Sequence, residues 1–194
     1  MIRSGFWSLL LLLLAGIVNG QDIMSDRLDE RDGLQYVIGE NVPFTGSAFT
    51  PYESGAIMIH TEYKKGKPHG KTITYYEWGK IQSIEEYEHG LLHGLVTHID
   101  SSGHLSAKLS YEKDYLNGPA EYYHPGKGIQ SKGNYKDCKE DGWWYFYRED
   151  GSLEKKGRFV DASEEGWWKF YDATGQLVRE VFYENGEIKY DVPL

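Results

Sequence analysis

Six glycines, Gly46, Gly70, Gly94, Gly118, Gly142 and Gly166, stand 24 residues apart without an insertion or deletion. With each taken as position zero, position 9 reads Gly55, Gly79, Gly103, Lys127, Gly151 and Gly175. Position 11 reads Ile57, Ile81, Leu105, Ile129, Leu153 and Leu177. Position 17 reads Tyr63, Tyr87, Tyr111, Tyr135, Phe159 and Tyr183. A unit this short cannot bury an apolar face alone, so the copies must stack on one another.

Within a unit, the aromatic run Trp143 to Tyr147 is followed by Glu149-Asp150-Gly151-Ser152 and then by Leu153 to Phe159. Strand, turn, strand is a hairpin. Asp150-Gly151 fits a two-residue turn with positive φ at both residues. Positions 18 to 23, such as Lys64-Lys65-Gly66-Lys67-Pro68-His69, read as a longer polar connection. A turn centred on positions 8 and 9 sets position 6 opposite 11 and position zero opposite 17. The ring at 17 would then cover the bare backbone of the glycine. Alternation places positions 2, 4, 11 and 17 on one face, with Trp144, Phe146, Leu153 and Phe159 there. Trp143, Tyr145, Tyr147, Trp167, Lys169 and Tyr171 fall on the other, and a one-residue slip would exchange the faces. The expected fold is all-β: an elongated single-layer antiparallel meander of six hairpin repeats, spanning about 55–60 Å along the stack.

The chain divides around this array. Residues 1–20 carry Arg3 and an apolar run from Phe6 to Val18. They read as a secretory signal cleaved before Gln21, and the run is short for a membrane span. Residues 21–33 read as a charged flexible leader, 34–45 as an N-terminal half-repeat cap, 46–186 as the array and 187–194 as a C-terminal cap. Losing Arg3 with the signal takes the formal charge from −9 to −10. That surface repels nucleic acid. The single cysteine, Cys138, has no intrachain partner for a disulfide.

The units resemble MORN-type repeats, and more closely the bacterial variant labelled YwqK-like, nominally an antitoxin component. The resemblance rests on Gly70-Lys-Thr-Ile-Thr-Tyr-Tyr-Glu-Trp-Gly79-Lys-Ile81, Gly142-Trp-Trp-Tyr-Phe-Tyr-Arg-Glu-Asp-Gly151-Ser-Leu153 and Gly166-Trp-Trp-Lys-Phe-Tyr-Asp-Ala-Thr-Gly175-Gln-Leu177. Val42-Pro-Phe-Thr-Gly46 and the His-Gly pairs at 69–70 and 93–94 fit as well, so the likeness covers about residues 34 to 190. It implies a scaffold or contact surface. An antitoxin acting in the cytoplasm sits badly with a cleaved signal.

No catalytic constellation, cofactor motif or metal site is expected. His89 and His93 have ligand-like spacing with His69 one repeat earlier, but the position preceding the repeat glycine changes type along the array and reads as a polar turn. Glu85, Glu86, Asp137, Glu140, Asp141, Glu164 and Glu165 fall mostly in connections, where solvated charge is the ordinary reading against glycosidase chemistry. The candidate contact residues are Trp143, Tyr145, Tyr147, Trp167 and Tyr171, because a one-layer sheet cannot hide both of its faces. The expectation is an exported protein, periplasmic or secreted, that binds another protein. The alternative is a glycan or cell-wall module using the same rings; toxin neutralisation and hydrolysis rank below both.

Overall fold

The structure, a computed structural model, describes residues 21–194. The secretory signal expected over residues 1–20 lies outside the described residues. The strands are β1 (Gln21–Met24), β2 (Leu28–Arg31), β3 (Leu34–Val37), β4 (Gly46–Pro51), β5 (Ile57–Lys64), β6 (Lys67–Tyr75), β7 (Ile81–Glu88), β8 (Leu91–Ile99) and β9 (Leu105–Glu112). They continue as β10 (Tyr115–Tyr123), β11 (Ile129–Lys136), β12 (Lys139–Glu140), β13 (Gly142–Tyr147), β14 (Leu153–Val160), β15 (Ser163–Tyr171), β16 (Leu177–Glu184) and β17 (Glu187–Pro193). From β4 onward each strand pairs antiparallel with the next, except that the short β12 pairs with β11 beside β13. The result is an open 15-stranded sheet with β1 and β17 at its two ends. Successive hairpins in one layer are the expected architecture.

The register joins position zero to position 17 in all six units: Gly46 to Tyr63, Gly70 to Tyr87, Gly94 to Tyr111, Gly118 to Tyr135, Gly142 to Phe159 and Gly166 to Tyr183. The expected cause is different, however. No position-17 ring is among the nearest neighbours of the space that a Cβ would take at these glycines. Glu62 fills it at Gly70, Glu86 at Gly94 and Ser110 at Gly118, and it is open at Gly142 and Gly166. What these positions demand is backbone conformation. Their φ runs from +154° at Gly46 through +106° at Gly70 to +73° at Gly166, a region closed to most side chains. From Gly70 onward the demand arises because each glycine sits in a bulge against the preceding strand, whereas Gly46 pairs in unbroken register with Gln21 of β1. Tyr63 pairs with Pro68 and Thr61 with Thr72, so His69, Gly70 and Lys71 face Glu62 alone. The Glu62 carboxylate accepts the freed Lys71 N–H at 2.7 Å, and Glu86 does the same for Leu95 at 3.0 Å.

The two turns of the unit are exchanged relative to expectation. The connection through positions 6 to 10 is the longer one. Gly79 N–H donates to the Tyr76 carbonyl and Tyr76 N–H to the Lys80 carbonyl, with φ of +88° at Gly79 alone. This fits a type I turn closed by a left-handed glycine. A bulge then pairs position 11 with position 5 rather than 6, as in Tyr75 to Ile81 and Tyr147 to Leu153. Leu153 and its equivalents therefore leave the face of Trp144. The tight two-residue turn lies instead at positions 19 and 20, where both residues are left-handed: Lys65 and Gly66, Lys113 and Asp114, Asp137 and Cys138, Asp161 and Ala162. That geometry twists with the strands it joins.

Packing concentrates on one face. Positions 2 and 15 form a row across the strands that includes Ala48, Thr61, Val96, Leu109, Ala120, Trp144, Trp168 and Val181, all buried. Position-17 rings flank it: Trp144 meets Tyr135 edge-on at 5.3 Å, and Trp168 meets Phe159 edge-on at 5.0 Å. A ring does cover bare backbone here, at glycines outside the 24-residue column. A Cβ on Gly133 would lie 2.2 Å from the Trp144 ring, and one on Gly157 would lie 2.0 Å from the Trp168 ring.

The N-terminal segment is built rather than loose. Residues 21–33, expected as a flexible leader, form β1, which pairs parallel with β4, then a 3-10 turn and β2. β3, expected to begin a half-repeat, pairs with β2 in a separate two-stranded sheet. Val37, Phe44 and Ala48 make a second small core with Ile23, Leu28 and Tyr63. At the opposite end β17 has a free edge, where Lys189 is left as an extra residue between the pairs of Ile188 and Tyr190. A bulge and a lysine are features that keep an open edge from recruiting other strands.

Two substitutions separate these effects. Gly157→Ala should cost about 1–3 kcal/mol by driving a methyl into the Trp168 ring. Ala162→Gly should instead stabilise by about 1 kcal/mol by relieving a left-handed alanine. Chemical denaturation of both variants measures the two signs.

Candidate functional site

The face opposite the Trp144–Trp168 row carries the candidate contact residues. Trp143, Tyr145 and Tyr147 alternate along β13, and Trp167 and Tyr171 do so along β15, with Lys169 between them. The structure places these five on one face, on two strands separated by β14. Trp143 is 51% exposed and Trp167 44%, against 3% and 2% for Trp144 and Trp168 on the packed side. Trp167 also packs with Phe182 at 5.2 Å and stacks on Tyr190 at 6.5 Å.

Cations run between these rings. Register places Lys132 and Lys156 on either side of Tyr145, and Arg158 beside Trp143. The Lys132 ammonium lies 5.9 Å from the Tyr145 ring centre and 5.8 Å from that of Tyr147, and Lys156 lies 5.8 Å from Tyr171. Lys169 is paired with Glu180 at 3.0 Å. Beside Trp143 and Tyr145 a hollow of about 260 Å³ opens, bounded by Pro119, Glu121, Lys132 and Asn134. Sequence reading passed over Lys132, Lys156 and Arg158. Part of the signal was available: the register that pairs zero with 17 sets position 14 opposite 3 and 16 opposite 1, which places Lys156 against Tyr145 and Arg158 against Trp143, whereas Lys132 meets Tyr145 through the pairing between units.

A second unforeseen feature links the units. The position-6 side chain donates to the position-5 carbonyl of the next unit: Tyr52 to Tyr75 at 2.7 Å, Tyr76 to Ile99 at 2.9 Å, His124 to Tyr147 at 2.8 Å, and Arg148 to Tyr171. The His124 contact requires the proton on Nε2. Asp100 and Asp172 cannot donate, and they accept N–H groups of their own turns instead.

The other candidates resolve into structural roles. His69 and His89 rings lie 5.2 Å apart, while His93 faces Glu88 at 3.7 Å. Among the described residues no three His, Cys, Asp or Glu side chains converge as a metal site. A shallow depression does contain Glu62, Glu86 and Glu88, but the first two carboxylates are engaged by the bulge N–H groups. Cys138 is exposed in its turn, its sulfur 3.3 Å from Leu116 N. On the packed face Glu85 accepts from Ser83 and Tyr87.

A model of the MORN repeat variant matches residues 68–89, 116–137 and 164–185. The chain is a MORN-like repeat protein. The matched segments are alternate units of the array, each holding one long-turn hairpin and the tight turn after it. The units starting at Gly46, Gly94 and Gly142 share that register without being matched. No curated protein matches the chain. The repeat family points to a repeat-based interaction or binding scaffold, a fold not typically catalytic. No helix among the described residues is long and apolar enough to cross a membrane.

Burial, and then the hydrogen bond and charge of Glu85, push the Tyr87 phenol up to about 12. Burial and Glu121 do the same for Tyr123. The native state then holds protons that the unfolded chain releases near pH 10. Stability should therefore be fully present below pH 10 and fall as pH rises from about 10 to 12, with a shallower fall in Tyr87→Phe. Denaturant midpoints measured across that range test the slope.

Proposed function

We propose that the chain is a binding scaffold whose open aromatic face docks another protein, and that it works after export, in the cell envelope or outside the cell. The observation that carries the reading is the split between the two faces. Trp144 and Trp168 are consumed by packing, whereas Trp143 and Trp167, one residue away, stay about half exposed, Trp167 even with Phe182 and Tyr190 against it. Large half-exposed rings are the residues from which binding hot spots are made. Specific stable contacts between proteins cover about 800 Å² on each partner, an extent that a sheet of this length can offer. Glycan binding through the same rings is the competing reading.

Affinity capture with the purified full chain should retain a partner that the Trp143→Ala/Trp167→Ala variant loses, with circular dichroism and melting unchanged. Undiminished capture by that variant would remove this face from the contact. Retention on sedimented cell wall in place of a protein would favour the glycan reading. Export has its own test: the protein recovered outside the cytoplasm should begin at Gln21, and an intact Met1 in the cytoplasmic fraction would overturn it.

A further inference from the structure

We infer that the open face of the units starting at Gly118, Gly142 and Gly166 takes an extended acidic segment of its partner, with carboxylates and apolar side chains together on the segment's inward face. This rests on the reading that the aromatic face is the contact surface, and it specifies the chemistry of what lies there.

The first observation is the charge of this face. The chain carries a formal charge of −9, yet Lys132, Lys156, Arg158 and Lys169 gather on this face, and of these Lys169 alone is paired, with Glu180. Among the described residues Lys132, Lys156 and Arg158 have no carboxylate within ion-pair distance. The acids nearest them in register are engaged otherwise. Glu121, opposite Lys132, accepts the Tyr123 hydroxyl, and Glu165, opposite Arg158, accepts Asn185 N–H. Three positive charges are thus left among aromatic rings on a negative protein.

The second observation is their layout. Trp143, Tyr145 and Tyr147 follow β13 at every second residue, a step of about 6.6–6.8 Å. Side chains on one face of an extended peptide have that same step. Lys132 stands on β11 on one side of this line, and Lys156 and Arg158 stand on β14 on the other. A peptide laid along β13 turns every second side chain toward the sheet, and that inward set would hold apolar side chains over the rings and carboxylates that reach Lys132 on one flank and the Arg158 fork on the other. The hollow beside Trp143 would receive one side chain. Protein partners are favoured over sugars by the pairing of Trp, Tyr and Arg in one patch, the residue types in which protein contact energy concentrates.

The test uses the full chain and a fluorescent Glu-Val peptide of repeated Glu-Ser-Val-Ser, in which Glu and Val share one face of the extended chain, with the matching Lys-Val peptide, Lys-Ser-Val-Ser, and oligogalacturonate as comparisons. The Glu-Val peptide should bind and weaken as salt is raised. Lys132→Glu/Lys156→Glu should weaken it about tenfold or more. Lys132→Gln/Lys156→Gln, which removes charge without reversing it, should fall between. Equal binding of the Lys-Val peptide, or indifference of the unmodified chain to salt, overturns the acidic assignment. Binding of oligogalacturonate in place of the peptide overturns the peptide. Loss with Trp143→Ala but none with either lysine pair would leave the aromatic face standing and remove the charge from it. Indifference to Trp143→Ala would remove the face itself.

Discussion

The sheet depends on a backbone that turns left-handed at fixed places. Each unit after the first has a glycine in a bulge at its start, and every unit has a left-handed glycine or its substitute in the long turn and two left-handed residues in the tight turn. These positions fix how far each strand slides past the next. Register in turn decides which side chains share a face, since a shift of one residue exchanges the faces. The Glu62 and Glu86 carboxylates support the bulge by taking the N–H that it strands.

Side-chain volume then distinguishes one half of this regular frame from the other. Where position 2 carries tryptophan, position 15 of the preceding unit is glycine: Gly133 lies under Trp144 and Gly157 under Trp168. Where position 2 is alanine, as at Ala120, position 15 is Leu109. The large and small members alternate so that a single layer builds a packed row without a second sheet above it. The rings of Tyr135, Phe159 and Tyr183 close the sides of that row.

The repeat length, the pairing of zero with 17 and the two-faced division were legible because they depend on periodicity alone. The assignment of turns was not. Asp150-Gly151 has the letters of a tight turn, but its aspartate side chain caps Ser152 and only the glycine is left-handed. The true tight turn uses Asp161-Ala162 and Asp137-Cys138, pairs that local preference does not single out. The strand at Gln21–Met24 was hidden because its pairing comes from β4, beyond the intervening β2 and β3, and its four residues include only two apolar ones. Of the open face, the rings were readable from alternation. The lysines around them became meaningful only once register set Lys132 and Lys156 against Tyr145.

The rungs donated from position 6 are not continuous. Tyr52, Tyr76, His124 and Arg148 each fasten one hairpin end to the next, whereas Asp100 turns inward and leaves the Tyr123 carbonyl without this tie. Each rung contributes about 1 kcal/mol. Under tension along the stack, the seam between the third and fourth hairpins is therefore held by strand pairing and by the buried cluster of Val96, Leu109, Ala120 and Trp144, without the tie that the other seams add. That seam also divides the threonine- and isoleucine-rich end from the tryptophan-rich end.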